Sequence, residues 1–140
     1  MPSKTHIKLR GIIRIIPNDF NNYYVVKFSG DNSSLVGGEI VGDKFSHLGN
    51  SGQWGIGIHI WGAKNCEIRN VIVKDCWGDC IYIGGNSHKI KLFNCKLDNG
   101  RRQGVSVTSA ETVLIQDCTI INVAGHSPEY GIDIEPNANQ

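Results

Sequence analysis

Gly57-Ile58-His59-Ile60, Cys80-Ile81-Tyr82-Ile83, Gly104-Val105-Ser106-Val107 and Gly131-Ile132-Asp133-Ile134 are four versions of one block, beginning 23, 24 and 27 positions apart. Each runs small, apolar, variable, apolar, the alternation of a strand with one buried face. A second block follows in step: Cys66, Ile68, Val71, Val73, then Ile90, Leu92, Cys95, Leu97, then Val113, Ile115, Cys118, Ile120. Its internal offsets of two, three and two are kept in all three copies. A period of this size belongs to stacked coils, in which each repeat packs only on its neighbours.

Composition selects the kind of coil. The chain has 19 Ile and 10 Val against 6 Leu, and no stretch carries a clean helical period. A leucine-rich repeat would need a Leu-dominated frame with a helix or turn on its convex side. β-Branched residues are stiff in helices and suit a pleated, packed surface. The reading is therefore an all-β, right-handed parallel β-helix of about five coils, one domain over residues 1–140.

The first half is less regular. His6 to Ile16 alternates as one or two strands, Pro17 to Asn22 is a turn segment, and Tyr23 to Phe28 is the next strand. Leu35, Gly38 and Ile40 continue the inward rows of Ile68, Val71 and Val73 from a coil 33 residues earlier. The extra length is a Gly/Asn/Ser-rich insertion at 42–54, and a second inserted loop covers 122–130. Inserted loops on a solenoid tend to sit on its binding face. Neither end shows a polar cap or a covering helix, so the pattern predicts a fragment of a longer stack, or a subunit that stacks through uncapped ends.

Charge and cysteines exclude more than they assign. With 14 basic and 13 acidic side chains and no basic stripe, nucleic acid is not an expected partner. The apolar runs are too short for a membrane-spanning helix. Met1 to Arg10 lacks the apolar core of a secretion signal. Cys95 and Cys118 fall on the same inward row and Cys66 on another, with parallel side chains ill suited to a disulfide, so they read as small core thiols. Cys76 and Cys80 lack the second pair that a zinc site would need. The pattern indicates no metal and no cofactor; calcium is compatible with it but not indicated.

Residues at equivalent positions on successive coils lie about 4.8 Å apart. The outward positions of the first block therefore form a column of His59, Tyr82, Ser106 and Asp133, beside a second column of Trp61, Gly84, Thr108 and Glu135. Preceding turns bring Asp79, Arg101, Arg102 and Gln103 to the same edge. This set suits a polysaccharide. Trp61 and Tyr82 offer ring faces for sugars, with Ser106, Thr108 and Gln103 as further substrate contacts. A lyase or epimerase on a uronic acid would use Arg101 or Arg102 to neutralise the carboxylate and His59 or Tyr82 to move the proton. A hydrolase would need two flanking carboxylates, Asp133 with Asp79 or Glu135.

Each candidate also has a structural role open to it. Asp79 and Asp133 could bind turn backbone, and Arg101 and Arg102 could pair with Asp98, Asp79 or Glu135. His59 and Tyr82 could be a cross-coil pair. Asn70, Asn94 and Asp117, 24 and 23 apart, read as a ladder of turn residues.

Three stretches together resemble the right-handed β-helix proteins of the pectate lyase-like superfamily, in particular bacterial and phage tailspike-like members. They are Trp77-Gly78-Asp79-Cys80-Ile81-Tyr82-Ile83-Gly84-Gly85, Asn99-Gly100-Arg101-Arg102-Gln103-Gly104-Val105-Ser106-Val107, and Gly131-Ile132-Asp133-Ile134-Glu135-Pro136-Asn137. The chain departs from that pattern at Cys80, where relatives usually have Gly, and at Gln53, where they usually have an acid. The resemblance implies a β-helix that binds, and in some members cleaves or epimerises, a polysaccharide along its parallel strands. It also implies a homotrimer and a virion or extracellular location if the parent is a tailspike. The alternative is a non-catalytic structural or adhesive segment. A carbohydrate module predicts a cleft beside the His59 to Asp133 column with Arg101 or Arg102 pointing into it. A structural segment predicts those side chains consumed by internal hydrogen bonds.

Overall fold

In the computed structural model, which describes residues 1–136, the chain forms fifteen short strands and, among the described residues, no helix. They are β1 (His6–Lys8), β2 (Ile12–Arg14), β3 (Asn22–Phe28), β4 (Ser34–Val36), β5 (Glu39–Val41), β6 (Trp54–Trp61), β7 (Lys64–Arg69) and β8 (Ile72–Lys74). Next come β9 (Ile81–Gly84), β10 (Ser87–Phe93), β11 (Lys96–Asp98), β12 (Gln103–Val107), β13 (Ala110–Gln116), β14 (Thr119–Ile121) and β15 (Tyr130–Ile134). Every third strand joins the same sheet, so three five-stranded sheets wrap five coils. All the pairings are parallel, as a solenoid wound in one direction requires.

The inward rows follow the register expected from the repeats. Ile68 stands between Leu35 and Leu92, Val73 between Ile40 and Leu97, and Ile60 between Phe28 and Ile83. These side chains are fully buried and form one continuous core along the stack axis. Stacked like on like, each fills the space left by its neighbour, and burial of each stabilises the coil by roughly 1.5–3 kcal/mol. His6 to Ile16 resolves into two strands, and β6 opens at Trp54 rather than after the insertion.

Corners between sheets are turned by left-handed residues. Asn70, Asn94 and Asp117 have φ of 56°, 50° and 53°, and the Asn94 amide donates to Asn70 Oδ1 at 2.8 Å. A second corner repeats the device with Asp75, Asn99 and Asn122 at φ 54°, 62° and 57°, the Asn99 amide donating to Asp75 Oδ1 at 2.8 Å. Asn and Asp tolerate this conformation because their short polar groups bond locally.

The glycines opening two of the outward blocks, Gly57 and Gly104, also have a spatial reason. A Cβ on Gly57 would lie 2.5 Å from Val73 Cγ1 and 2.8 Å from Cys76 Sγ, so the coil leaves no room for one. All five thiols are free; Cys66, Cys76, Cys80 and Cys95 are buried in the core. The neighbouring Cys80 and then burial push the Cys76 thiol well up, so it is an uncharged core group.

The two inserted loops meet on one flank. His126 Nε2 and Gln53 Oε1 are 3.0 Å apart, and Lys44 Nζ donates to the Ala124 carbonyl at 2.7 Å. Beneath them lies a polar cluster. Tyr23 donates through its hydroxyl to Asp43, His47 Nδ1 lies 2.9 Å from the other Asp43 oxygen, and His47 stacks on Trp77 with centroids 4.2 Å apart. On the last coil the inward-row side chains Ile132 and Ile134, in register with Val105 and Val107, are exposed, and so are the outward-facing Ile12 and Ile121.

Candidate functional site

The third sheet, β3-β6-β9-β12-β15, carries the outward columns. Pairing places Lys27 beside His59, His59 beside Tyr82, Tyr82 beside Ser106, and Ser106 beside Asp133. The expected column is thus present and begins one coil earlier, at Lys27. Trp61 faces Gly84 in the second column. Gly84 is tight there: an added Cβ would come within 2.7 Å of the Thr108 hydroxyl and 3.2 Å of the Trp61 ring.

Rings dominate the upper part of this face. Tyr24 stacks on His59 with centroids 4.1 Å apart and planes within 6°, and His59 lies 5.6 Å from Trp61 and 5.5 Å from Tyr82. They line a groove of about 460 Å³ together with Asn22, Lys27, Trp54 and Ile56. Trp54 and Tyr82 also line a smaller hollow of about 170 Å³, with Arg102, Gln103, Ser106, Thr108, Asp133 and Glu135. The two shared side chains make one trough that crosses the strands from β3 to β15. A larger hollow of about 600 Å³ lies on the first sheet, lined by residues such as Lys89, Lys91 and Leu114, but it contains no ring.

Below the acidic half of the trough is a buried network. Asp79 is wholly buried and accepts from Ser106 Oγ at 2.7 Å and from Arg102 Nη1 at 3.2 and 3.3 Å. Arg102 Nη1 also donates to Gln103 Oε1 at 3.0 Å, and the Gln103 amide nitrogen donates to Asp133. Burial pushes the Asp79 carboxyl up to about 6; Ser106 and Arg102 oppose that rise, while the Asp133 charge adds to it. His59 moves the other way, down to about 4, first through burial and then through the Lys27 charge. Its Nδ1 is buried without a hydrogen-bond partner. At neutral pH it is therefore an uncharged ring within a slab of rings.

His59, Tyr82 and Trp61 meet in the ring-lined part, and Arg102, Gln103, Ser106, Thr108, Asp133 and Glu135 in the polar part. Asp79 underlies them with no surface of its own. Arg101 lies elsewhere, 3.7 Å over the Trp77 ring, donating to the Gly52 and Trp77 carbonyls and lining a cleft under the inserted loops. Asp79 and Asp133 make their described hydrogen bonds with side chains, not with turn backbone. Asn137 lies outside the described residues. Tyr24 and Lys27 escaped the repeat reading. The insertion moves β3 out of the 24-residue period, so only three-dimensional register puts these residues beside His59.

The fold and trough define a parallel β-helix with a ring-lined outer sheet, and the chain belongs to the right handed beta helix region family, whose model matches residues 7–140. It is 30% identical to the SPbeta prophage-derived uncharacterized protein YorA of Bacillus subtilis (strain 168), over 96% of this chain and 27% of that protein. It is also 30% identical to the uncharacterized protein YclG of the same strain, over 89% of this chain and 25% of that protein. The chain thus spans about a quarter of the length of these curated relatives. No solved structure matches it.

Proposed function

We propose that this β-helix binds a polysaccharide in the trough on its third sheet. The ladder of Tyr24, His59, Trp61 and Tyr82 carries the reading, because near-parallel aromatic faces beside carboxylates are what a run of sugar rings requires. The apolar faces of the sugars rest on Trp61, Tyr82 and Trp54, while Asp133, Glu135 and Thr108 meet hydroxyl groups. Within this reading Asp133 and Glu135 are the carboxylates that reach a bound chain, and Asp79, Gln103 and Arg102 hold Asp133 in place. The test is a glycan array on the intact chain, with reducing-end and ultraviolet unsaturation assays on the glycans that bind. Binding that is lost in Trp61→Ala and Tyr82→Ala is the expected result. Silence on the array would sink the proposal.

The second reading, a structural or adhesive segment, draws on the consumed side chains. Arg101, Arg102, Asp79, Gln103 and Ser106 all have internal partners. Those bonds favour recognition by rings over chemistry by arginines, and new unsaturation in the lyase assay would reverse that preference.

A further inference from the structure

We infer that the trough selects a glycan free of carboxylates and rejects polyuronates; this rests on the polysaccharide reading above. A polyuronate repeats a carboxylate along its length and needs unoccupied cations to receive it. Only two basic side chains line the trough, Lys27 and Arg102, among the described residues. Through Nη1, Arg102 pairs with both oxygens of Asp79 and donates to Gln103 Oε1, so a buried carboxylate already balances its charge, while its Nε is buried without a partner. Since Asp79 is wholly buried, drawing Arg102 toward a ligand would strand an unpaired carboxylate in the interior, which is strongly unfavourable. Arg101 is spent on two carbonyls and the Trp77 face, outside the trough. His59 is wedged between Tyr24 and the Trp61 and Tyr82 rings, with Lys27 next to it, a setting that disfavours its cation.

The remaining charges are arranged along the column. Lys27 stands at one end over the Tyr24 ring, and Asp133 and Glu135 stand at the other. Four strand spacings separate Lys27 from Asp133, about 19 Å, roughly twice the screening length at physiological salt. The acidic end is therefore unrelieved by the lysine. A uronate there would meet two like charges, whereas a neutral sugar would meet hydrogen-bond acceptors and an amine-bearing sugar would meet counter-charges.

The experiment is calorimetric titration of the intact protein at physiological ionic strength with three oligosaccharide probes: a neutral β-glucan, a partly deacetylated chitosan and an oligogalacturonate. The expected result is binding of the β-glucan or the chitosan, with the oligogalacturonate at least tenfold weaker. Asp133→Asn/Glu135→Gln should then narrow that gap at least threefold, and Tyr82→Ala should remove binding of the preferred probe. Oligogalacturonate binding equal to or tighter than the others, lost in Tyr82→Ala, would overturn this selectivity while leaving the polysaccharide reading intact. Absence of binding to any probe here and to any glycan on the array would remove both.

Discussion

Asp79, in the turn before β9, and His59, on the neighbouring β6, shift in opposite senses, so their titrations oppose each other. Asp79 binds its proton more tightly in the fold than in the unfolded chain, with its carboxyl raised to about 6. Its contribution is present in full below the unfolded carboxylate range and is lost as pH rises through about 6. The His59 ring is held neutral, down to about 4, so its contribution is present above the ordinary imidazole range and is lost as pH falls toward about 4. Removing one titration should unmask the other. His59→Phe keeps a ring in the stack, and between pH 7 and 5 its melting temperature should rise by several degrees relative to the parent's change. Asp79→Asn should fall relative to the parent over the same interval. Thermal melts by circular dichroism at steps across that range measure both, and parent-like slopes in both variants would contradict the assignment.

Corners and close approaches decide the elements. Asn94 combines a left-handed backbone with a side-chain bond to Asn70, and both are lost on change to Ala. Asn94→Ala should cost about 1–2 kcal/mol, and Asn94→Gly clearly less, because Gly keeps the backbone freedom while losing the bond. Denaturant melts of the two variants separate the backbone effect from the ladder effect; equal losses would mean the bond alone matters. Gly57 tests packing in place of conformation. Its missing Cβ lets β6 lie against Val73 and Cys76, so Gly57→Val should cost several kcal/mol through overpacking.

Stability of the whole molecule is a property of the stack, because each coil buries its apolar row against the coils on either side. Val71 and Leu92 are both wholly buried in that column. Val71→Asp or Leu92→Asp would place an unpaired carboxylate in the core and should abolish cooperative melting and the strand signal in circular dichroism. Retained strand signal would contradict the coil register. At the same scale, the trough is a product of lateral register across four or five coils, and its binding loss in Trp61→Ala should come without a change in far-ultraviolet signal. An at least tenfold affinity loss at unchanged fold is expected, since aromatic contacts of this kind are worth about 0.5–1.5 kcal/mol beyond their buried area.

Much of this was open to reading along the chain. The period-two alternation and the 24-residue repeat are local properties, and they determined the β-helix, its inward rows, its Asn corners and the His59 to Asp133 column. That works because in a solenoid, sequence offset maps directly onto spatial neighbourhood. Where the offset breaks, the mapping fails. The insertion before Trp54 hid Tyr24 and Lys27 from the column they begin, and only the folded register brings them to His59. The fate of the charged groups was equally non-local. Whether Arg102 meets a ligand or Asp79, and whether Arg101 faces the trough or Trp77, depends on which partner lies within hydrogen-bond reach once the loops have closed. Repetition determined where the side chains stand; tertiary structure alone decided which of them are already taken.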